Sequence, residues 1–138
     1  MGKNVRDAMT SDVATATPSQ SLTEAASVMK EKDIGSIPVV DGERLIGVVT
    51  DRDIVVRAVA DGTDPSSIQV GDIASRDIVS VRPDDDLDEA LRLMALHQVR
   101  RLPVVEDGHL VGVLAQADVA ETAKDKQVGH VLEEISKH

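Results

Sequence analysis

The sequence predicts an α+β fold made of two tandem copies of one β-α-β-β-α unit, packed sheet to sheet with pseudo-twofold symmetry. Three observations predict it: a repeat at a spacing of 65 residues, an apolar helical stripe early in each copy, and two apolar strand-like runs later in each copy. Packing the two small sheets together would bury the apolar face that each copy leaves uncovered. The same arrangement would create two equivalent clefts between the copies, and small ligands usually bind in clefts of this kind.

The repeat extends through most of the chain. A register that holds over such a length is evidence of duplication rather than chance. We therefore assign 1–66 to the first copy with its N-terminal lead-in, 67–124 to the second copy, and 125–138 to a C-terminal helical tail. The residues that match under the shift include Val5 and Val70, Pro18 and Pro83, Leu22 and Leu87, Met29 and Met94, Gly47 and Gly112, and Asp53 and Asp118.

Each copy contains the same predicted elements. A short extended piece (12–15; 77–81) leads into a helix whose apolar residues recur at i, i+3, i+4 and i+7, from Leu22 and from Leu87. Both helices begin with a capping-box spacing, Ser21 to Glu24 and Asp86 to Glu89. Two β-rich runs around an Asp-Gly turn then predict a hairpin. A second helix closes each copy, over about 52–60 and about 117–124.

Composition excludes several classes of function. The chain has 138 residues, a formal charge of −10, no cysteine and no aromatic residue. The negative charge disfavours nucleic-acid and membrane partners, and no aromatic side chain is present for stacking on a base. Disulfides and thiolate chemistry are absent. No apolar run suggests a membrane span or a signal peptide, so we expect a cytoplasmic protein.

The segment GVVTDRDI (47–54) contains the residues that we single out for chemistry. Thr50 and Asp53 stand three residues apart where a strand passes into a helix. They could form a capping box, or they could bind a ligand, with an anion held by the free N–H groups of the helix. The second copy keeps Asp118 but has Ala115 in place of the threonine. A purely structural cap does not explain why the aspartate occurs twice and the box only once.

Other candidate residues have two interpretations each. Strand alternation directs one of Arg100 and Arg101 inward, where it would need an anion, but both could be surface arginines paired with acids. The acidic run 83–89 could bind magnesium, although helix N-termini attract acids. The helix over 53–60 is apolar almost all round except for Arg57, which favours a symmetric homodimer interface.

The tandem unit resembles a CBS-domain pair (Bateman module). The residues that carry the resemblance are DIGSIPVVD and LIGVVTDRDI (33–54), and HQVRRLPVVE and LVGVLAQADV (97–119). The chain is more specifically similar to stand-alone bacterial pairs of the actinobacterial hypoxic-response type, given TDRDIVVRAVADGTDP and HQVRRLPVV. The resemblance implies a homodimer and an adenosine-containing ligand: AMP, ADP, ATP or S-adenosylmethionine.

The resemblance also implies roles for single residues. Thr50 matches a hydroxyl that meets a phosphate, and Asp53 matches a carboxylate that accepts from ribose hydroxyls. The ligand-binding residues that it implies are Thr50, Asp53, Ile37, Pro38, Arg101 and Asp118. Ile37 and Pro38 would line an adenine pocket, for which simple core packing is the alternative. Ala115 leaves the second copy without one phosphate donor.

We expect a regulatory module that senses an adenosine nucleotide and acts in trans on an unknown protein partner. The alternative is a ligand-free protein-interaction or stress-response protein that keeps the fold. We do not expect an enzyme, because the sequence contains no nucleophile paired with a base, no metal cluster and no full phosphate loop. We also expect that the protein requires no cofactor.

Overall fold

The chain forms two units that do not follow the repeat boundaries. The structure is a computed structural model that describes residues 3–122, apart from the side chain of Glu121. Among the described residues, the first-copy unit comprises 14–78, and the second-copy unit combines the lead-in 3–13 with 79–122. Three features of the sequence lie outside the described residues. They are the tail predicted over 125–138, the predicted end of the last helix at residue 124, and two of the four histidines.

The first-copy unit is a hairpin covered by helices. Its helix α1 (Leu22–Lys32) begins at Ser21, whose side chain accepts a hydrogen bond from the Glu24 N–H at 3.1 Å. Strands β1 (Ser36–Asp41) and β2 (Arg44–Thr50) pair antiparallel around a tight turn at Gly42, where φ is 65°. The helix α2 (Asp51–Ile54) continues as a π-helical turn (Val55–Val59), and a 3-10 turn (Pro65–Ser67) precedes α3 (Val70–Ile73).

The second-copy unit repeats this arrangement. A 3-10 turn (Val5–Asp7) belongs to its lead-in, followed by α4 (Leu87–His97), β3 (Arg101–Glu106), β4 (His109–Ala115) and α5 (Gln116–Thr122). The β3–β4 turn has positive φ at both Asp107 and Gly108, as a two-residue hairpin turn of type I′ requires. Both hairpins carry an irregularity at the same place, between Val39 and Val40 and between Val104 and Val105.

Each unit has its own aliphatic core. The helical stripe predicted from the sequence supplies one wall, and the inward residues of the hairpin supply the other. No side chain other than aliphatic ones and methionine is needed to fill either core, which accounts for a stable fold without aromatic residues. The fully buried side chains with the largest volume are Leu22, Ile37, Val39, Val49 and Val70 in the first-copy unit, and Val5, Leu87, Leu91, Met94, Leu102, Val104 and Leu114 in the second-copy unit.

Two local predictions require correction. The extended piece that starts each copy is reduced to a single parallel bridge, Ala16 with Val39 and Val81 with Val104, rather than a strand. The capping box predicted from Asp86 to Glu89 is wrong: the Asp86 side chain accepts from the Asp88 N–H at 3.0 Å, and Glu89 instead binds Arg92.

Backbone hydrogen bonds explain why the units differ from the repeats. The N-terminal lead-in binds the second copy, with the Val5 N–H donating to Asp85 O at 2.9 Å. Residues just after the first copy turn back to it, because the Val70 N–H donates to Gln20 O at 2.7 Å. The assignment of the two copies to 1–66 and 67–124 stays a prediction about the repeats, and the structural units differ from it in their lead-ins. Residues 3–13 pack with the second copy, and residues 67–78 pack with the first.

The Glu89–Arg92 pair allows a prediction about pH. The hydrogen bonds from Arg92 lower the pKa of Glu89 and raise the pKa of Arg92 itself. A lowered carboxylate pKa stabilises the fold above the unfolded-state pKa, and this contribution is lost as the pH falls through the folded-state pKa. We expect Arg92→Gln to raise the Glu89 pKa toward its ordinary value, measured by NMR titration, with little change in stability because both side chains are exposed. An unchanged Glu89 titration would contradict the assignment.

The part of the chain that the structure describes contains no helix both long and apolar enough to cross a lipid bilayer.

Candidate functional site

The junction of β2 and α2 contains the capping box that the sequence allowed. The Thr50 N–H donates to Asp53 Oδ2 at 2.9 Å, and the Asp53 N–H donates to Thr50 Oγ1 at 3.0 Å. Both side chains are half-buried. Thr50 is extended, at φ −118° and ψ 161°, which is the usual conformation of an N-cap residue. Thr50 and Asp53 therefore cap the N-terminus of α2.

One part of the ligand prediction is wrong. The N–H groups that begin α2 are not free to hold an anion, because each already donates to an acceptor of the chain. The Asp51 N–H donates to Gly35 O at 2.9 Å, the Arg52 N–H donates to Asp51 Oδ1 at 2.7 Å, and the Asp53 N–H donates within the box. A phosphate at this junction would have to be held by side chains.

The capping box leaves hydrogen-bonding capacity on both of its side chains. Thr50 Oγ1 accepts one bond, but its own O–H proton has no acceptor among the described residues. The Oδ2 atom of Asp53 is used, whereas Oδ1 accepts no bond from the described residues. A hydroxyl proton suits a phosphate oxygen, and a carboxylate oxygen suits a sugar hydroxyl. Cap and ligand roles are thus compatible, since they use different atoms.

Two backbone segments flank the first junction. In β1, Ser36 lies opposite Thr50 in the antiparallel register. On the other side, Ser75 and Val48 exchange two backbone hydrogen bonds of 2.9 Å. This approach needs glycine at position 47, since a Cβ there would lie 3.0 Å from Ser75 O. The glycine of the GVVT segment is thereby explained by close backbone packing.

The second junction has the same backbone but different side-chain partners. The Gln116 N–H donates to Arg100 O at 2.8 Å, as the Asp51 N–H does to Gly35 O. The Asp118 carboxylate is held by the lead-in, because Thr10 Oγ1 donates to Asp118 Oδ2 at 3.0 Å. Ala115 is buried and offers no hydroxyl.

Sequence reasoning missed the lead-in residues Thr10 and Ser75. Each lies beside the final strand of its unit, Thr10 bridged to Val113 and Ser75 to Val48. The sequence contained a signal for them, because the 65-residue shift aligns Thr10 with Ser75 and both side chains carry a hydroxyl. What the repeat alone did not indicate is that each lead-in packs beside the strand that ends at the candidate site.

The expectation for Arg100 and Arg101 is partly wrong. Arg100 precedes β3 and Arg101 begins it, so strand alternation does not apply to the pair, and both are exposed. The alternative of a surface ion pair is not seen either, because neither guanidinium pairs with an acid among the described residues. Arg101 lies opposite Ala115 in the β3–β4 register. A guanidinium with no acidic partner within residues 3–122 therefore lies opposite the position that lacks the hydroxyl.

Ile37 and Pro38 are core residues. Ile37 has no exposed surface and packs in the first-copy core, paired with Val49 across the hairpin. Pro38 is buried, and its carbonyl accepts from the Ala16 N–H at 3.0 Å. These contacts favour the packing alternative for both residues, and their role in lining a ligand stays a prediction.

The acidic run 83–89 is explained by local structure. Asp84 forms an ion pair with Arg6 at 2.6 Å, and Asp85 accepts from the Arg82 N–H at 2.8 Å. Asp86 caps α4, as described above. Within the described residues, no group of three or more His, Asp or Glu side chains is placed to hold a metal ion.

Comparison with known proteins identifies the class. The family model for the CBS domain matches residues 5–59 and again 70–125, so the chain belongs to the CBS-domain family and carries the domain twice. A CBS pair of this kind is a regulatory module and not an enzyme.

Two relatives are stand-alone proteins of similar length. The chain is 43% identical to the CBS domain-containing protein YhcV of Bacillus subtilis over 134 residues, which cover 96% of this chain and 95% of the relative. It is 41% identical to hypoxic response protein 1 of Mycobacterium tuberculosis over 116 residues, which cover 83% and 81%. The similarity to the hypoxic-response type is confirmed.

Three solved structures share the fold. Hypoxic Response Protein I with two coordinated zinc ions has a TM-score of 0.77 and 40% identity, over 87% of this chain and 98% of that one. CBSX2 in complex with AMP has a TM-score of 0.78 and 32% identity, over 91% and 99%. The CBS pair of MJ0100, with 5-methylthioadenosine and S-adenosylmethionine, has a TM-score of 0.76 and 25% identity, over 91% and 99%. The α+β fold of tandem CBS repeats is confirmed.

Proposed function

We propose that this CBS pair senses an adenosine-containing small molecule, AMP, ADP, ATP or S-adenosylmethionine, and acts in trans on a protein partner. The observation that carries the proposal is the unused capacity of Thr50 and Asp53: a hydroxyl proton for a phosphate and Oδ1 for ribose hydroxyls. Two solved relatives, CBSX2 and the MJ0100 pair, are in complex with such molecules. Ligand binding would shift the population of conformations rather than catalyse a reaction.

Isothermal titration against the four ligands tests the proposal. We expect saturable heat with at least one of them, together with a rise in melting temperature, because a ligand that binds only the folded state stabilises it. The control is adenine-free ribose 5-phosphate, which offers the phosphate and sugar without the base and should bind more weakly. Absence of both heat and melting shift for all four ligands would contradict the function.

We also propose that the chain forms a homodimer through the helix that contains α2 and the π-helical turn. Ile54 and Ala58 on this helix are buried in their own unit, which leaves a row of valines on the opposite face. Val55, Val56 and Val59 are 54%, 49% and 59% exposed, unusual for large apolar side chains on one short segment. In a symmetric homodimer, one contact would bury these valines on both subunits.

Charge placed in this apolar row is expected to separate the dimer. Val55→Lys combined with Val59→Lys should yield a monomer by analytical ultracentrifugation, because two buried lysines per subunit would lack partners. Leu96→Lys is the matched control: Leu96 is 65% exposed on α4, outside the proposed interface. A wild-type monomer, or a dimer that survives the double substitution, would exclude this interface.

A ligand-free interaction or stress-response protein is the second candidate. It is favoured by the second junction, where Ala115 offers no hydroxyl and Thr10 already holds the Asp118 carboxylate. A stoichiometric protein partner recovered together with null titrations would support this candidate over the sensor.

A further inference from the structure

Exposed large apolar side chains occur at only two places among residues 3–122. One is the row of valines that forms the proposed homodimer interface. The other is the end of α4, where Leu96 is 65% exposed and Val99 is 37% exposed. Every residue from 95 to 101 is exposed, and we call this stretch the Leu96 segment. Packing of the second-copy core does not account for Leu96, since most of its surface stays outside that core.

The Leu96 segment lies in the longest stretch of the chain without an acid. The chain has 25 acidic and 15 basic residues, yet no acid occurs from 90 to 105, where three arginines and one histidine are found. Arg100 and Arg101 belong to the segment, and neither guanidinium meets an acid within the described part of the chain. An exposed leucine within five residues of two such cations offers one partner both an apolar contact and a charge contact.

The first copy shows that the fold does not need these side chains. Its equivalent stretch is 30–36, where the Ile34 N–H donates to Met29 O at 3.0 Å. In the second copy the Val99 N–H donates to Met94 O at 3.0 Å, so the chain leaves both helices in the same way. The first-copy sequence is KEKDIGS, with two acids and two lysines, whereas the second-copy sequence is ALHQVRR. Balanced charge therefore serves the same backbone, and the apolar and basic surface needs another explanation.

Backbone hydrogen bonds hold the Leu96 segment in place. The Gln98 N–H donates to Ala95 O at 3.3 Å, and Arg100 O accepts from the Gln116 N–H at 2.8 Å. The connection from α4 to β3 is thus fixed at both of its ends. A surface that is already held in one conformation loses little conformational freedom when a partner binds to it.

We propose that the Leu96 segment is a docking surface for an acidic segment of a partner protein that also carries an apolar side chain. The inference names the chemistry of the partner, and it rests on the proposed action in trans rather than on the small molecule. Carboxylates of the partner pair with Arg100 and Arg101, and its apolar side chain covers Leu96. A nucleic acid would meet the same arginines but would be repelled by a chain with a formal charge of −10.

Selection of peptides tests the docking surface. Random short peptides displayed on phage are selected on the wild-type protein, and the enriched sequence is synthesised with a fluorescent label. We expect enriched sequences that combine acidic residues with large apolar ones. In fluorescence anisotropy, Leu96→Lys and the double variant Arg100→Glu, Arg101→Glu should each weaken binding of this peptide by roughly tenfold or more, because each removes one kind of contact.

The first copy supplies the matched control. Glu31→Lys, at the position equivalent to Leu96, combined with Lys32→Glu should leave peptide binding unchanged. All these variants replace exposed side chains, so each should melt as wild type does. No enrichment, enrichment of sequences without acids, or equal binding of the peptide by wild type and both second-copy variants would overturn the docking surface. If Leu96→Lys instead dissociates a homodimer, the occupant is a second copy of this chain and the proposal is likewise overturned.

Nucleotide titration of the same samples separates this proposal from the sensor. Heat with AMP, but no enriched acidic peptide, overturns the docking surface and leaves the sensor standing. An acidic peptide whose binding needs Leu96, with no response to any of the four small molecules, supports the docking surface and favours the ligand-free candidate. The absence of both responses overturns both proposals.

Discussion

Asp53→Ala is expected to weaken nucleotide binding at the first junction by roughly 10- to 100-fold, because a hydrogen bond to an ionised group contributes about 1.5–3 kcal/mol. The same substitution removes the acceptor of the Thr50 N–H, which lies 2.9 Å from Asp53 Oδ2. It should therefore also lower the free energy of unfolding by about 1 kcal/mol, as the loss of a cap does. Titration and chemical unfolding measure the two effects on the same sample.

Ser21→Ala separates the two effects. Ser21 caps α1 in the same unit, accepting from the Glu24 N–H at 3.1 Å, and belongs to neither candidate junction. It should cost a similar amount of stability, about 1 kcal/mol, and leave nucleotide affinity unchanged. If Asp53→Ala and Ser21→Ala lose stability equally and neither alters binding, the box is only a cap and the ligand role of Asp53 fails.

Gly112→Ala is expected to destabilise the second-copy unit by about 1–3 kcal/mol, the usual cost of overpacking a fixed site. The added Cβ would lie 2.8 Å from Thr10 O and 3.1 Å from Met9 Sδ. The methionine can move, but Thr10 O cannot retreat without losing its 2.9 Å bond from the Val113 N–H. The lead-in would be pushed off β4, and thermal unfolding should show a melting temperature lower by several degrees.

Gly35→Ala is the matched control for this effect. The three heavy atoms nearest to a Cβ at position 35 all belong to the Asp51 carboxylate, with Oδ2 at 3.0 Å, and the end of a side chain can rotate away. Its stability should stay within about 0.5 kcal/mol of wild type, as for most surface substitutions. Equal melting temperatures for Gly112→Ala and Gly35→Ala would mean that the lead-in does not pack against β4 as described.

Much of the fold follows from periodicity. The stripe from Leu22 to Met29 predicted α1. The β-rich runs on either side of each Asp-Gly turn predicted both hairpins. The exchange of lead-ins was not predictable in this way. It depends on backbone bonds such as the one from Val70 to Gln20, which leave no mark in side-chain pattern. The packing of the two sheets on each other stays a prediction.

The sequence predicted which residues form the candidate site, but not which of their atoms are available to a ligand. The repeat singled out Thr50, Asp53 and Asp118, and the structure places each at a strand-to-helix junction. Which atoms remain available depends on local geometry: Gly35 O and the Asp51 side chain take up the first N–H groups of α2. The exposure of Arg101 likewise follows from where β3 begins, a boundary that sequence patterns fix only to within a few residues.

The decisive measurement is a crystal structure of the chain purified without added nucleotide and then soaked in AMP. The account predicts nucleotide density within hydrogen-bond reach of Thr50 Oγ1 and Asp53 Oδ1, with the two capping bonds of 2.9 and 3.0 Å retained. Nucleotide bound elsewhere, or bound only after the Thr50–Asp53 box has opened, would contradict it.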